Sequence, residues 1–271
     1  MHLEGSYMED FQTVHNRKNT DSFKWDALKK VFHTEDVLPM WVADMDFKAP
    51  KEVNDALIER AKHGIYGYTL ISDRVREQIK KWVEEKHNWT IDPNWLSFSP
   101  GVITSLYVAI SSFTEVNDKI LLQTPVYTPF FNIIKNSGRK IVENPLHFNG
   151  EKYEIDFQDF EEKLRQGVKA FILCSPHNPV GRVWTKEELL EMGRLCLKYD
   201  VLILADEIHA DLVFDSYQHI PISSLSEELS NQTITCMSPT KTFNLAGLQA
   251  SYIITTDKRK RTILNQKLAE Q

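Results

Sequence analysis

Residues 233–249 read "TITCMSPTKTFNLAGLQ". A β-prone run ends at Met237, a Ser-Pro turn follows, and one lysine, Lys241, stands before a loop that carries Gly247. A loop lysine is ordinarily a solvated charge. Whether Lys241 is one depends on what the chain places at the ends of its other strands.

Runs of the same kind recur at Lys119–Gln123, Ala170–Cys174, Val201–Ala205 and Ala250–Thr255. Between them lie stretches of helical period at Thr104–Phe113, Phe157–Arg165 and Lys186–Tyr199. In the last of these, Leu189, Leu190, Met192, Gly193, Leu195 and Cys196 fall on one broad face. Thr185, with Glu188 three residues on, carries the signature of a capping box at its start. Continuous apolar strands alternating with helices predict an α/β fold, with a mainly parallel, mixed central sheet sandwiched by helices.

Such sheets bind ligands beyond the carboxyl ends of their strands. After "KILLQ" comes Thr124-Pro125-Val126-Tyr127, and after "AFILC" comes Ser175-Pro176-His177-Asn178-Pro179. After "VLILA" comes Asp206-Glu207-Ile208-His209, and after "TITCM" comes Ser238-Pro239-Thr240-Lys241. Alone, each is ordinary: a packed tyrosine, an Asn-Pro turn, a carboxylate at a loop start, a solvated lysine. Four successive strand ends that deliver an aromatic, an amide, a carboxylate and a lysine to one edge are not.

Composition narrows the classes. The chain has 271 residues, 42% of them hydrophobic and 26% charged, which suits a globular protein. A formal net charge of −6 argues against a nucleic-acid partner, which calls for a basic face. The one dense basic run, Lys258–Arg261, reads as a solvated helix start. No apolar stretch approaches the roughly 20 residues of a membrane span, and no signal core opens the chain, so a cytoplasmic protein without a membrane partner is expected. Cys174, Cys196 and Cys236 lack metal-ligand spacing and read as buried free thiols, so no metal site is expected. The opening "MHLEGSYMED" reads partly as vector-derived, with Met8 a candidate native start.

The converging set matches what pyridoxal 5'-phosphate requires. A lysine amine condenses with the aldehyde, a carboxylate keeps the ring nitrogen protonated, and an aromatic ring stacks on the pyridine face. The loop "SPGVITSL", residues 99–106, offers backbone N–H groups at a helix start to the phosphate.

The chain resembles the fold-type I enzymes of the aminotransferase class I/II superfamily, and within it the MalY/PatB branch of cystathionine β-lyases. The resemblance runs from about Arg17 to the end and is carried by "NTDSFKWD", "LPMWVADMDF", "GIYGYT", "SPGVITSL", "PVYTPF", "SPHNPVGRVWTKEEL", "LILADEIHADLVF" and "SPTKTFNLAGLQ". It implies that Lys241 is the Schiff-base lysine and Cα proton shuttle. It implies that Asp206 pairs with the ring nitrogen, Asn178 meets the ring hydroxyl and Tyr127 stacks on the ring. His209 stands where ordinary aminotransferases of this fold carry a tyrosine. Ser238, Gly101 and the amides of Val102 and Ile103 would hold the phosphate. Tyr68 would reach the phosphate of a neighbouring subunit, which implies a homodimer with shared sites. Ala43, Asp44 and Asn178 would lie near the substrate amino acid.

The resemblance implies two departures. Many aminotransferases have a phosphate-binding arginine eight residues after the lysine; here that position is Gln249, as in the lyase branch. Members of the branch also continue into a small C-terminal domain that supplies a carboxylate-binding arginine. "RTILNQKLAEQ" reads as the start of a long helix, so the chain is expected to be a fragment. Residues 1–50 are expected to belong to the small domain and residues 51–271 to an incomplete large cofactor-binding domain. The implied activity is β-elimination from L-cystathionine or a related cysteine S-conjugate, giving a thiol, pyruvate and ammonia. Transamination, or a non-catalytic regulatory role on the same fold, are the alternatives.

Overall fold

A computed structural model describes residues 11–270 of the chain, so the reading of Met8 as a start lies outside the described residues. The chain divides into two compact units. One comprises the segment ending at Thr69 together with Thr240–Leu248; the other comprises Leu70–Pro239 and the segment from Gln249 onward. Residues 51–69 and 240–248 therefore cluster with the N-terminal segment rather than with the sheet.

Among its described residues the first unit carries α1 (Phe23–Asp26), α2 (Leu28–Phe32) and α3 (Lys51–His63). None of the thirteen residues of α3 is buried. The second unit opens with α4 (Asp73–His87), β1 (Leu96–Ser99), α5 (Val102–Phe113) and β2 (Lys119–Thr124). Next come α6 (Pro129–Asn136), β3 (Lys140–Pro145), a small hairpin of β4 (His147–Phe148) and β5 (Tyr153–Glu154), and α7 (Phe157–Arg165). They are followed by β6 (Val168–Cys174), α8 (Lys186–Lys198), β7 (Leu202–Asp206), α9 (Glu227–Gln232) and β8 (Thr233–Met237). A one-turn helix, α10 (Pro239–Thr242), follows β8 in the chain and falls mostly within the Thr240–Leu248 segment of the first unit, and β9 (Ser251–Ile254) and α11 (Lys258–Leu268) close the second.

Seven strands form one sheet in the order β1-β9-β8-β7-β6-β2-β3. Pairs among β8, β7, β6, β2 and β3 are parallel, whereas β9 is antiparallel to both its neighbours. This is the mainly parallel, mixed sheet expected from the apolar runs. The period of two along each strand divides the core. Ile120, Leu122, Ala170, Ile172, Leu202 and Leu204 pack with α5 and α6 on one face. Leu121, Phe171, Leu173, Ile203 and Ala205 pack with α7 and α8 on the other.

Helix α8 begins as its sequence indicates: Thr185 Oγ1 accepts from the Glu188 N–H, and the Glu188 carboxylate accepts from the Thr185 N–H. The basic run Lys258–Arg261 opens α11, whose N-cap Asp257 accepts from the Arg259 and Lys260 N–H groups. All three cysteines are buried and unbridged. Among the described residues no helix is long and apolar enough to cross a membrane.

Candidate active site

Because β1 is antiparallel to β9, and β9 to β8, strands β1, β8, β7, β6 and β2 all end at one edge of the sheet. Asp206 is the last residue of β7 and only 5% exposed, and its Oδ1 accepts the Ile208 N–H at 3.1 Å. In register it lies between Cys174 of β6 and Cys236 of β8. In-register parallel neighbours share a face, so the carboxylate is flanked by two buried thiols. Burial first, and then the charge of Asp206, push both thiols up, so neither competes as an anion.

Beyond β6 the chain turns through Ser175–Pro179. The Asn178 N–H donates to Cys174 Sγ at 3.4 Å, and its carbonyl accepts the Tyr127 N–H at 3.0 Å. That second bond ties the loops after β2 and β6 together. The Tyr127 phenol is pushed up by burial and by the charge of Asp206, which keeps it neutral. Its ring is 41% exposed and stands edge-on to Phe130, 5.7 Å between centroids, so one face remains for a planar ligand. His209 is half-buried in the turn after Asp206, where its carbonyl accepts the Leu212 N–H.

Helix α5 starts at the same edge. Its N-cap Gly101 provides no side-chain cap, and its first turn carries no acidic residue. The N–H groups of Val102 and Ile103 are among those a helix cannot satisfy internally. Ser99, Ser105 and Ser251 brace this start, with Ser99 Oγ 2.6 Å from Ser105 Oγ and 2.8 Å from Ser251 Oγ. Ser99 and Ser105 both donate to the Gly101 carbonyl. A side chain added at Gly101 would meet nothing within 4 Å, so the mouth of the helix is open. Ser238 is buried, and its hydroxyl donates to the Ala250 carbonyl at 2.7 Å. A hydroxyl has one proton, so donating to a phosphate would require that bond to be given up.

The other expected residues belong to the first unit. Lys241 Nζ donates to the Ala43 carbonyl at 3.0 Å, which brings the lysine and the 43–47 segment together. Asn244, in the left-handed region at φ 56°, uses its amide as a strand partner. It accepts the Met45 N–H at 3.0 Å and donates to the Met45 and Phe47 carbonyls. From the other side Arg17 pairs with Asp44 at 2.6 Å and with Asp46 at 2.7 Å, and Lys24 pairs with Asp46 at 2.7 Å. Burial raises the Asp46 carboxyl, but hydrogen bonds from Lys24, Trp25 and Arg17 outweigh it and bring the group down to about 2. Asp44 Oδ2 accepts from Arg17, and its Oδ1 lies 3.9 Å from Lys24 Nζ. Tyr68 stands fully exposed, with Ile65, Tyr66 and Leu70 around it in sequence also exposed.

Sequence reasoning did not single out Asn244, Arg17, Lys24 or Asp46 as working residues. "WVADMDF" and "NLAG" marked the region, but a side chain that bonds backbone about 200 positions away leaves no periodicity to read.

The chain belongs to the aminotransferase class I and II family, matched over residues 35–269. It is 46% identical, over 93% of its length, to the cystathionine β-lyase PatB of Bacillus subtilis and spans 65% of that relative. It is similar to the pyridoxal-phosphate-containing crystal structure of cystalysin from Treponema denticola, with TM-score 0.93 and 38% identity over 97% of this chain and 68% of that one. It is also similar to the pyridoxal-phosphate-bound C–S lyase from Staphylococcus hominis, with TM-score 0.88 and 30% identity over 98% of this chain and 72% of that one.

Proposed function

We propose that this chain forms the cofactor-binding part of a pyridoxal-phosphate-dependent carbon–sulfur β-lyase that acts on L-cystathionine or a related cysteine S-conjugate. The observation that carries the reading is the carboxyl edge of the sheet. A buried carboxylate, a half-open neutral tyrosine, an asparagine loop and an uncapped helix start converge there, in a chain 46% identical to a cystathionine β-lyase.

The residues fit the cofactor by their chemistry. Asp206, buried at the end of β7, is a carboxylate of the kind that favours a cationic ring nitrogen beside it. The free face of Tyr127 suits a planar ring, and the Val102 and Ile103 N–H groups at the N-terminus of α5 suit a phosphate. When bound, pyridoxal phosphate supplies an aldehyde for amines and a ring that accepts electrons released at the substrate Cα.

The protein side of the reaction then follows. Lys241 Nζ would hold the cofactor aldehyde and, when its amine is free, would take the proton from the substrate Cα. Asp206 would keep a proton on the ring nitrogen. Tyr127 would cover the ring and keep water from it, and His209 and Asn178 would help to orient it. The thiolate departs from Cβ, and water completes the conversion of the three-carbon remainder to pyruvate and ammonia. Gln249, in place of an arginine, favours this outcome over transamination. The exposed run Ile65, Tyr66, Tyr68 and Leu70 supports a homodimer in which Tyr68 serves the partner's site. The cytoplasm is the proposed location.

Incubating the full-length form with L-cystathionine and no keto acid should release pyruvate, ammonia and thiol in equal amounts, whereas alanine should yield almost none. Asp206→Asn should lower turnover by about a hundred- to a thousandfold while still binding cofactor. Borohydride should link the cofactor to Lys241, as read by mass spectrometry. Dependence on a keto acid, with no thiol released, would replace the lyase with a transaminase.

A further inference from the structure

Asp206 is followed by a second buried carboxylate that the proposed reaction does not use. The Glu207 side chain is fully buried, one residue past the end of β7. One carboxylate oxygen accepts the Ile222 N–H at 3.2 Å, and the other meets His219 Nε2 at 3.0 Å. His219 Nδ1 has no partner among the described residues, so Nε2 carries the proton and donates it to Glu207. The His219 ring stands edge-to-face with His87 of α4, centroids 5.4 Å apart. His87 Nε2 lies 2.9 Å from Asp211 Oδ1 but off the line of a hydrogen bond, and Trp82 Nε1 donates to the same carboxylate. The Glu207 N–H donates to the Cys236 carbonyl of β8.

A buried carboxylate is costly unless fully bonded, so this one is retained for what it holds in place. Its two bonds fasten the end of β7 to the far segment of its own loop, and α4 backs that loop through the imidazole pair. Asp206 directly precedes Glu207 in this fastened stretch, and His209 follows two residues on. We propose that Glu207 is a positioning residue for Asp206, with His219 as its obligatory partner. The proposal rests on the reading that Asp206 meets the cofactor ring.

The substitution that isolates this role is Glu207→Gln. A glutamine has one acceptor oxygen for two donors, so it can keep the Ile222 N–H only if the His219 proton moves to Nδ1, where no described residue accepts it. His219→Leu removes the donor, and His219→Gln restores one. The 271-residue chain and each variant are titrated with pyridoxal phosphate, following thermal stability, cofactor affinity and visible circular dichroism per bound cofactor. The last reports how the ring is oriented and is unmoved by a purely structural weakening. Glu207→Gln and His219→Leu should each weaken cofactor binding about tenfold and change the dichroism at saturation, with His219→Gln returning both toward the parent values.

Unchanged dichroism at saturation in Glu207→Gln and His219→Leu, with a normal signal in the parent, overturns the proposal and leaves the cofactor reading intact. If the parent takes up no cofactor, the site reading falls and this inference with it. Should Glu207→Gln fail to fold, the two His219 variants decide alone.

Discussion

The two units are held by different forces. The sheet unit is a packed hydrocarbon sandwich in which strand residues alternate between two apolar layers, and polar groups gather at its carboxyl edge. The N-terminal unit buries little: α3 presents no buried residue, and the 43–47 segment is gripped by Arg17, Lys24, Trp25 and Asn244. One is organised by surface removed from water, the other by directed bonds to charge and backbone. Apolar burial is worth most per residue and is non-directional, whereas charge pairs near solvent are worth little but fix geometry. The unit that carries Lys241 is thus held more by fixed geometry than by a deep core.

The sharpest contrast is between Phe171 and Leu57. Phe171 is fully buried between the sheet and Phe160, whose ring stands edge-on at 5.1 Å. Phe171→Ala should cost about 3–5 kcal/mol, read as a lower urea midpoint. Leu57 in α3 is 44% exposed, and Leu57→Ala should stay within about 0.5 kcal/mol. Equal costs would break the comparison.

A smaller effect tests how tightly the sheet unit is packed. Gly193 lies inside α8, and a Cβ there would come within 2.5 Å of Leu229 Cδ2 and 2.9 Å of Cδ1. Those atoms end a flexible side chain, but Leu229 is itself buried. Gly193→Ala should therefore destabilise by about 1–3 kcal/mol, against the helix propensity it gains. A rise in melting temperature would show that α8 and α9 have room between them.

The same difference decides what the sequence discloses. Strands β6, β7 and β8 are buried on both faces and read as unbroken apolar runs, so their ends, and with them Asn178 and Asp206, could be placed. β3 escaped because it is an edge strand, half-exposed and closed by Pro145. β1 escaped because four residues, Leu96–Ser99, are too few to show a period. Glu207 was visible only as the neighbour of Asp206, since its partner His219 is twelve residues on through a loop. Asn244 has no sequence signal: its partners Met45 and Phe47 lie 199 and 197 positions away. Lys241 was legible because it follows a strand, and its bond to Ala43 was not.

The least effect expected is the pH dependence of the N-terminal unit, and it isolates the directed bonds. Asp46 has its carboxyl lowered from 3.8 to about 2 by Lys24, Trp25 and Arg17 against the opposing cost of burial. A carboxyl lowered on folding contributes stability that is fully present above its unfolded value and is lost as the pH falls through its folded one. The contribution should thus hold at pH 5 and above and decline between about pH 4 and pH 2. The side chain is 37% exposed, so solvent screening limits the effect to about 1 kcal/mol or less. The Trp25 indole N–H donates to Asp46 at 2.8 Å and reports on the group directly. Its proton resonance should titrate with a midpoint near 2 in the parent chain and lose that transition in Asp46→Asn, while resonances of the sheet core stay unmoved between pH 6 and pH 4. A midpoint near 4 would mean that the three donors do not hold Asp46 in solution, and that the 43–47 segment is fixed chiefly by Asn244.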